Sequence, residues 1–160
     1  VKKISLTKGL IAVVGDEDFD YLSQFKWYSV GHDGKEYAAR YGGRNKGLAQ
    51  HIRMHRVVLN APNGTEVDHV NRDRLDNRKL NLRLATRSQN GSNRDKFAGR
   101  THSAFKGVTY HKRDRCWQAT ICVNGDYIHL GYFNTERGAA LAYNNAAVKY
   151  HGEFAKLNEL

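Results

Sequence analysis

The chain has 160 residues, 40% hydrophobic and 26% charged, with 26 basic against 16 acidic groups and a net charge of +10. That length suits one ordinary domain or two small ones, and the charge favours a polyanionic partner without choosing among nucleic acid, a membrane surface and an acidic protein. No apolar run is long enough to cross a bilayer and no secretory leader is visible, while two cysteines six apart, Cys116 and Cys122, suit neither a disulfide framework nor a structural zinc site.

Reduced thiols and a cytoplasmic setting are the simplest reading of that cysteine usage. The charge is uneven. Residues 51–100 carry 11 basic and 5 acidic groups, against 8 and 6 before them and 7 and 5 after them.

From Ile4 to Val14 two apolar runs are broken by Lys8-Gly9, which predicts a hairpin. Asp16-Glu17-Asp18 places acids where a helix begins, favoured by the helix dipole. Phe19, Leu22, Phe25 and Trp27 follow at near-helical spacing. His32-Asp33-Gly34 is a turn between strands at 27–30 and 36–41. The aromatic side chains of this half read as the core of a small domain, with stacking on bases the rarer alternative. Gly42-Gly43-Arg44-Asn45-Lys46-Gly47 reads as a basic glycine loop, either tracking phosphates or an ordinary loop.

Residues 48–59 move from a strand into a helix. His51 and His55, four apart, superficially resemble the HExxH pattern of zinc proteases, but Ile52 stands where the basic glutamate belongs and no third ligand is evident. Pro62-Asn63-Gly64 is a tight turn that ends this helix and starts a hairpin. The short run Val67-Asp68-His69 closes with an acid beside a histidine. A polar loop follows, then Asn81, twelve residues after His69, and Asn90, nine residues further on. Thr86 and Gln89 form a capping box, so Asn90 falls near the first turn of a helix that Gly91 keeps short.

A hairpin followed by a helix brings Asp68, His69 and Asn90 to one point. A hard divalent cation takes oxygen ligands and keeps several waters. Asp68 and the Asn90 amide oxygen supply two, and His69, near neutral in pKa, is suited to take a proton from water.

Asp68-His69, Asn81 and Asn90, with His55-Arg56 ahead of them and Leu75-Asp76-Asn77-Arg78 and Asn81-Leu82-Arg83 among them, resemble the His-Asn-Asn variant of the HNH nuclease motif, the ββα-metal (His-Me) finger. The resemblance implies that His69 is the general base and that Asp68 and Asn90 hold one divalent metal, Mg²⁺ or alternatively Mn²⁺, with no zinc. It implies that Asn81 braces the loop and orients His69. Arg56, Arg72, Arg74, Arg78 and Arg83 are candidate phosphate contacts, any of which is alternatively a solvated charge.

Residues 94–104 are basic, small and aperiodic, and read as a linker that itself lies on DNA. Beyond it come a strand at 105–110, an alternating strand at 117–123, an Asn124-Gly125 hairpin turn, a strand at 127–131 and a helix at 136–150 capped by Asn134-Thr135. The helix has an apolar face of Ala139, Ala142, Tyr143, Ala146, Ala147 and Tyr150 and stops at Gly152. A three-stranded antiparallel sheet packed on one helix follows from this pattern.

This second unit resembles the AP2 DNA-binding domain over nearly its whole length, through KGV (106–108), WQATI (117–121), LGYF (130–133), AALAY (139–143) and GEFAKLN (152–158). In that family the sheet enters the major groove. The matching positions are Lys106, Thr109, His111, Arg113, Thr120, Cys122, Tyr127 and His129, with Trp117 in the core. Where plant members carry several arginines and tryptophans, this chain has mostly Thr, His, Cys and Tyr, and one extra residue stands between Val108 and Trp117. The resemblance therefore carries the docking mode but not the sequence read.

The expected architecture is α+β: strands and a nuclease finger over 1–93 with its core at 55–93, a linker at 94–104, and an AP2-like domain over 105–160. An HNH finger followed by an AP2-like domain resembles the homing endonucleases of phages and introns. That implies site-specific, metal-dependent hydrolysis of double-stranded DNA to 5′-phosphate and 3′-hydroxyl by a cytoplasmic, bacterial or phage-encoded protein without a membrane partner. A monomer would nick first and a homodimer could cut both strands; both stay open. Two rival readings remain: a non-catalytic DNA-binding protein or repressor with a degenerate finger, and a structural domain in an RNA assembly. Metal-dependent cleavage separates the first from the nuclease, and loss of binding to DNA with RNA binding retained would favour the second.

Overall fold

In the computed structural model, which describes residues 1–45, 48–96 and 102–160, the chain divides into two compact units, Val1–Thr86 and Arg87–Leu160. The Lys46-Gly47 end of the glycine-rich stretch and residues 97–101 of the segment read as a linker lie outside the described residues.

In the first unit β1 (Lys2–Ser5) and β2 (Ile11–Val14) form the anticipated antiparallel hairpin. Its turn runs through Lys8 and Gly9, both at positive φ. α1 (Asp16–Leu22) opens on three acids. β3 (Tyr28–Val30), β4 (Tyr37–Asn45) and β5 (Leu48–Arg53) make a three-stranded antiparallel sheet in that order. Here one expectation is corrected. Gly42 and Gly43 are not in a loop but inside β4, where the register shifts between Tyr41 and Arg44. A bulge needs the same small, permissive residues as a loop, and composition does not tell the two apart.

β5 leads directly into α2 (Met54–Val58), and β6 (Glu66–His69) pairs antiparallel with β7 (Leu82–Ala85). The core gathers Leu22, Trp27 and Met54 with Ile4, Val14, Val67 and Leu82. Trp27 buries its ring and donates its indole N–H to the Leu22 carbonyl at 2.8 Å, so burial leaves no orphaned donor. Phe19 and Phe25 pack against this cluster, whereas Tyr21 and Tyr41 are exposed.

The second unit opens with α3 (Arg87–Ser92). β8 (Val108–His111), β9 (Cys116–Val123) and β10 (Asp126–Phe133) form an antiparallel sheet with β9 central, and α4 (Glu136–His151) packs on it. The β9–β10 turn, Asn124-Gly125, has both residues at positive φ, as a two-residue hairpin demands. Thr135 caps α4, its hydroxyl accepting from the Gly138 N–H at 3.1 Å. Ala139, Ala140, Ala146 and Ala147 bury a small-residue stripe against Ala119 and Ile121, which lets the helix lie close on the sheet. Tyr150, placed on that face by spacing, is exposed instead, and Ala140 takes part in the core.

Candidate functional site

The hairpin β6–β7 sets the centre of the site. Asp68 and His69 end β6, and both are buried, at 4% and 5% exposure. Antiparallel register puts Arg83 opposite Asp68. The guanidinium donates from Nε (2.9 Å) and Nη2 (2.7 Å) to the same oxygen, Asp68 Oδ2. This charge-assisted pair compensates a carboxylate that burial would otherwise penalise.

His69 sits against an aromatic wall. His55 on α2 meets it edge-on, with ring centroids 5.1 Å apart, and Tyr37 on β4 stands 5.2 Å from His55 and 6.1 Å from His69. The guanidinium groups of Arg53 and Arg74 each lie 4.7 Å from the Tyr37 ring. Burial holds the His69 imidazole below its ordinary range, against the opposing pull of Asn77 and of the Asp68 and Asp73 carboxylates. Burial also pushes His55 down to about 3, helped by His69 and nearby arginines. Both rings are therefore neutral at pH 7, and a neutral imidazole is the form that accepts a proton.

The loop from 70 to 81 is cross-braced by short polar side chains. Asn81 Oδ1 accepts from the Asn71 N–H at 2.9 Å, and Asn81 Nδ2 donates to the Asp76 carbonyl at 2.8 Å. Asp76 takes Arg78 on both carboxylate oxygens, at 2.7 and 2.6 Å, and the Asn71 amide at 2.9 Å. The Arg78 contact holds the Asp76 carboxyl below the usual range. The backbone of the same loop is tied to β2, Val13 N–H to Leu75 O at 2.8 Å and Asn77 N–H to Val13 O at 2.7 Å. His69 thus ends a strand whose following loop is held at several points.

Asn90 lies half-buried on α3, in the second unit. Of the arginines singled out by sequence, Arg56 donates to the carbonyls of Thr65, Ala61 and Pro62 at 2.6 to 3.2 Å and closes the α2–β6 turn. Arg74 reaches the Lys35 carbonyl at 2.9 Å, Arg78 is committed to Asp76 and Arg83 to Asp68. Arg72 is exposed at φ 67° on the loop. Sequence reading passed over Tyr37 and the contact of His55 with His69, because nothing local joins residues 37, 55 and 69.

On the second unit the sheet presents Thr109, Thr120, Cys122, Tyr127 and His129, with Cys122 opposite Tyr127 and Thr120 opposite His129. Tyr127 is 79% exposed. His129 contacts Gln118 at 3.1 Å, and His111 and Arg113 both lie beside Asp114. Lys106, matched to a DNA contact by the family resemblance, directs its ammonium to the carbonyls of Ser92 and Arg94.

Among the described residues no group of three or more His, Cys, Asp and Glu side chains is placed to hold a metal ion. The oxygen donors acting on His69 are the Asp68 and Asp73 carboxylates and the Asn77 amide. A set of few, hard oxygen donors suits a cation that keeps most of its waters rather than a closed thiolate or imidazole cage.

The family model described as HNH endonuclease matches residues 54–92, from the start of α2 to the end of α3. An uncharacterised HNH endonuclease of Acanthamoeba polyphaga mimivirus is 32% identical over 153 residues, covering 96% of this chain and 77% of the viral one. The chain belongs to the HNH endonuclease family. HNH nucleases generally use a divalent metal. A separate likeness covers part of the chain only. An AP2-like ethylene-responsive transcription factor of Arabidopsis thaliana is 41% identical over 56 residues, 35% of this chain and 12% of that one. An APETALA2-like protein of Oryza sativa subsp. japonica is 39% identical over 56 residues, again 35% of this chain and 13% of that one. This HNH family member therefore combines the nuclease motif with AP2-like homology. None of its helices, among the described residues, is long and apolar enough to cross a membrane.

Proposed function

We propose that this HNH protein is a site-specific, metal-dependent DNA endonuclease of the homing type, with a ββα-metal finger as its catalytic part and the AP2-like sheet as its DNA reader. The observation that carries the reading is the buried Asp68-His69 pair at the end of β6, with the imidazole kept neutral by burial. His69 takes a proton from the attacking water onto its imidazole as the water oxygen bonds to phosphorus and the phosphorus–O3′ bond breaks; the departing 3′ oxygen takes a proton from solvent water, leaving 5′-phosphate and 3′-hydroxyl ends. Asn81 keeps the loop after His69 in one shape. Asp68 and Asn90 are the residues that would hold one Mg²⁺ or Mn²⁺, which when bound supplies positive charge at the scissile phosphate. The tyrosine, threonine and histidine side chains on the reader sheet face double-stranded DNA, and a net charge of +10 makes binding strongly salt-dependent.

The test is cleavage of supercoiled plasmid bearing random genomic inserts, with magnesium, with chelator and with His69→Ala. Cutting that needs both metal and His69 supports the reading, and end-labelling identifies the termini. The ratio of open-circle to linear product distinguishes nicking from double-strand cutting. Tight, sequence-selective binding without any cutting would replace it with a repressor.

A further inference from the structure

Helix α3, which carries Asn90, is too short to hold itself. It has six residues, one of them Gly91, and isolated helices shorter than about 12–15 residues are marginal in water even without a glycine. Its last turn is fastened within its own unit. The Lys106 ammonium donates to the carbonyl oxygens of Ser92 at 2.6 Å and Arg94 at 2.7 Å. Ser92 ends the helix and Arg94 lies just beyond it; the Ser92 carbonyl is one of those that a helix end leaves without intrahelical partners, at the negative end of its dipole. His151, the last residue of α4, places Nδ1 at 3.2 Å from the Ser92 hydroxyl.

Lys106 is itself fixed from the other side. Its N–H donates to Asn158 Oδ1 at 2.7 Å, and Asn158 Nδ2 donates to its carbonyl at 3.1 Å. The backbone of Asn158 makes two further hydrogen bonds with the Asn144 side chain on α4, at 2.7 and 2.9 Å. A groove of about 530 Å³ in the same unit is lined by Arg87, Ser88 and Gly91 of α3 together with Thr120, Cys122 and Tyr127 of the sheet. The helix and the face proposed to meet DNA therefore border one space.

From these contacts we infer that Lys106 is a positioning residue for the nuclease: it clamps the helix bearing Asn90 onto the sheet-and-helix body of the second unit. This rests on the reading of Asn90 as a metal ligand. It also replaces the phosphate contact that family likeness assigns to Lys106.

The test uses the full chain with Lys106→Met, Lys106→Arg and Ser92→Ala. Amide exchange is followed without metal, and kcat, KM and the salt dependence of binding are measured on a duplex carrying a mapped cleavage site. Lys106→Met is expected to speed exchange at 87–93 at least tenfold while β9 and α4 keep their protection, which also shows that the variant folds. It is expected to lower kcat at least tenfold with KM and salt slope unchanged, and Lys106→Arg restores most of both. Ser92→Ala, which removes the His151 contact and the hydroxyl's hydrogen bond to the Ser88 carbonyl, gives the same pattern at smaller amplitude. Unchanged exchange at 87–93 would overturn the clamp. So would weaker binding with a salt slope reduced by about one, the signature of a lost phosphate contact. If the wild type binds duplex without cutting it, the nuclease reading fails, and the exchange data still decide the clamp.

Discussion

Arg83 stands directly across the β6–β7 hairpin from Asp68 and brings both Nε and Nη2 to one oxygen of its carboxylate. Both side chains are largely out of water, at 14% and 5% exposure. Removing one partner of a buried pair strands the other, at a cost of roughly 3–5 kcal/mol. Arg83→Met is therefore expected to lower unfolding free energy by about 3 kcal/mol. Millimolar Mg²⁺ or Mn²⁺ should then raise the variant's Tm more than that of the wild type, because the cation no longer competes with a guanidinium for Asp68. Thermal unfolding with and without metal checks both points. A loss below about 1 kcal/mol would mean that the pair behaves as a surface ion pair.

His55 makes the fold acid-sensitive. Its folded pKa, about 3, lies far below the unfolded value of 6.5. Between those two values the unfolded chain binds more protons than the folded one, so stability is full above pH 6.5 and falls as pH drops through that window. The slope for one such group is about 1.4 kcal/mol per pH unit. His69 is shifted in the same direction and adds to the slope just below pH 6.5. Urea unfolding at pH 7 and pH 5 should show a loss of about 2 kcal/mol from His55 alone. His55→Phe, which keeps an aromatic ring against Tyr37 and His69, should remove about one proton from the measured dependence. An unchanged slope in that variant would place the titration elsewhere.

Asn81 uses both ends of its amide, accepting from Asn71 and donating to the Asp76 carbonyl. It is 4% exposed, so water does not readily replace either contact. Asn81→Ala leaves a backbone N–H and a carbonyl short of partners and is expected to cost roughly 2–4 kcal/mol. If the loop after His69 matters for catalysis, kcat falls more than tenfold while DNA affinity stays within twofold. Equal losses in both would assign Asn81 to DNA binding.

The parts of the molecule that were legible in sequence are those whose determinants are local. Asn124-Gly125 announces its hairpin because the turn itself needs two positive φ values. Asp68 and His69 stand out because they are neighbours at the end of an apolar run. The pairing of Asp68 with Arg83 joins residues 15 apart through hairpin register, which counting alone does not settle without the loop's length in space. Arg56, Arg78 and Lys106 look alike in sequence as free cations, yet each is aimed at particular protein oxygens. The wall of Tyr37, His55 and His69 joins three elements and leaves no periodic trace.

Gly107 gives the sharpest steric prediction. It sits at φ +74°, and a Cβ there would lie 2.1 Å from Tyr143 Cδ2 and 2.5 Å from the Thr120 carbonyl oxygen. The carbonyl is β9 backbone and Tyr143 is buried in the α4 interface, so neither yields cheaply. Gly107 O also accepts the Thr120 N–H at 2.8 Å, which fixes the approach. Gly107→Ala is expected to destabilise the second unit by about 3 kcal/mol or more, combining left-handed strain with overpacking. Gly125→Ala is the control: its φ is +102° but nothing lies within 4 Å of the new methyl, so only the conformational strain, about 1 kcal/mol, applies. The chain has two tryptophans, Trp27 in the first unit and Trp117 in the second. A Trp27→Phe background therefore lets Trp117 fluorescence report urea unfolding of the second unit, and equal midpoints for the two glycine variants would refute the close approach at Gly107.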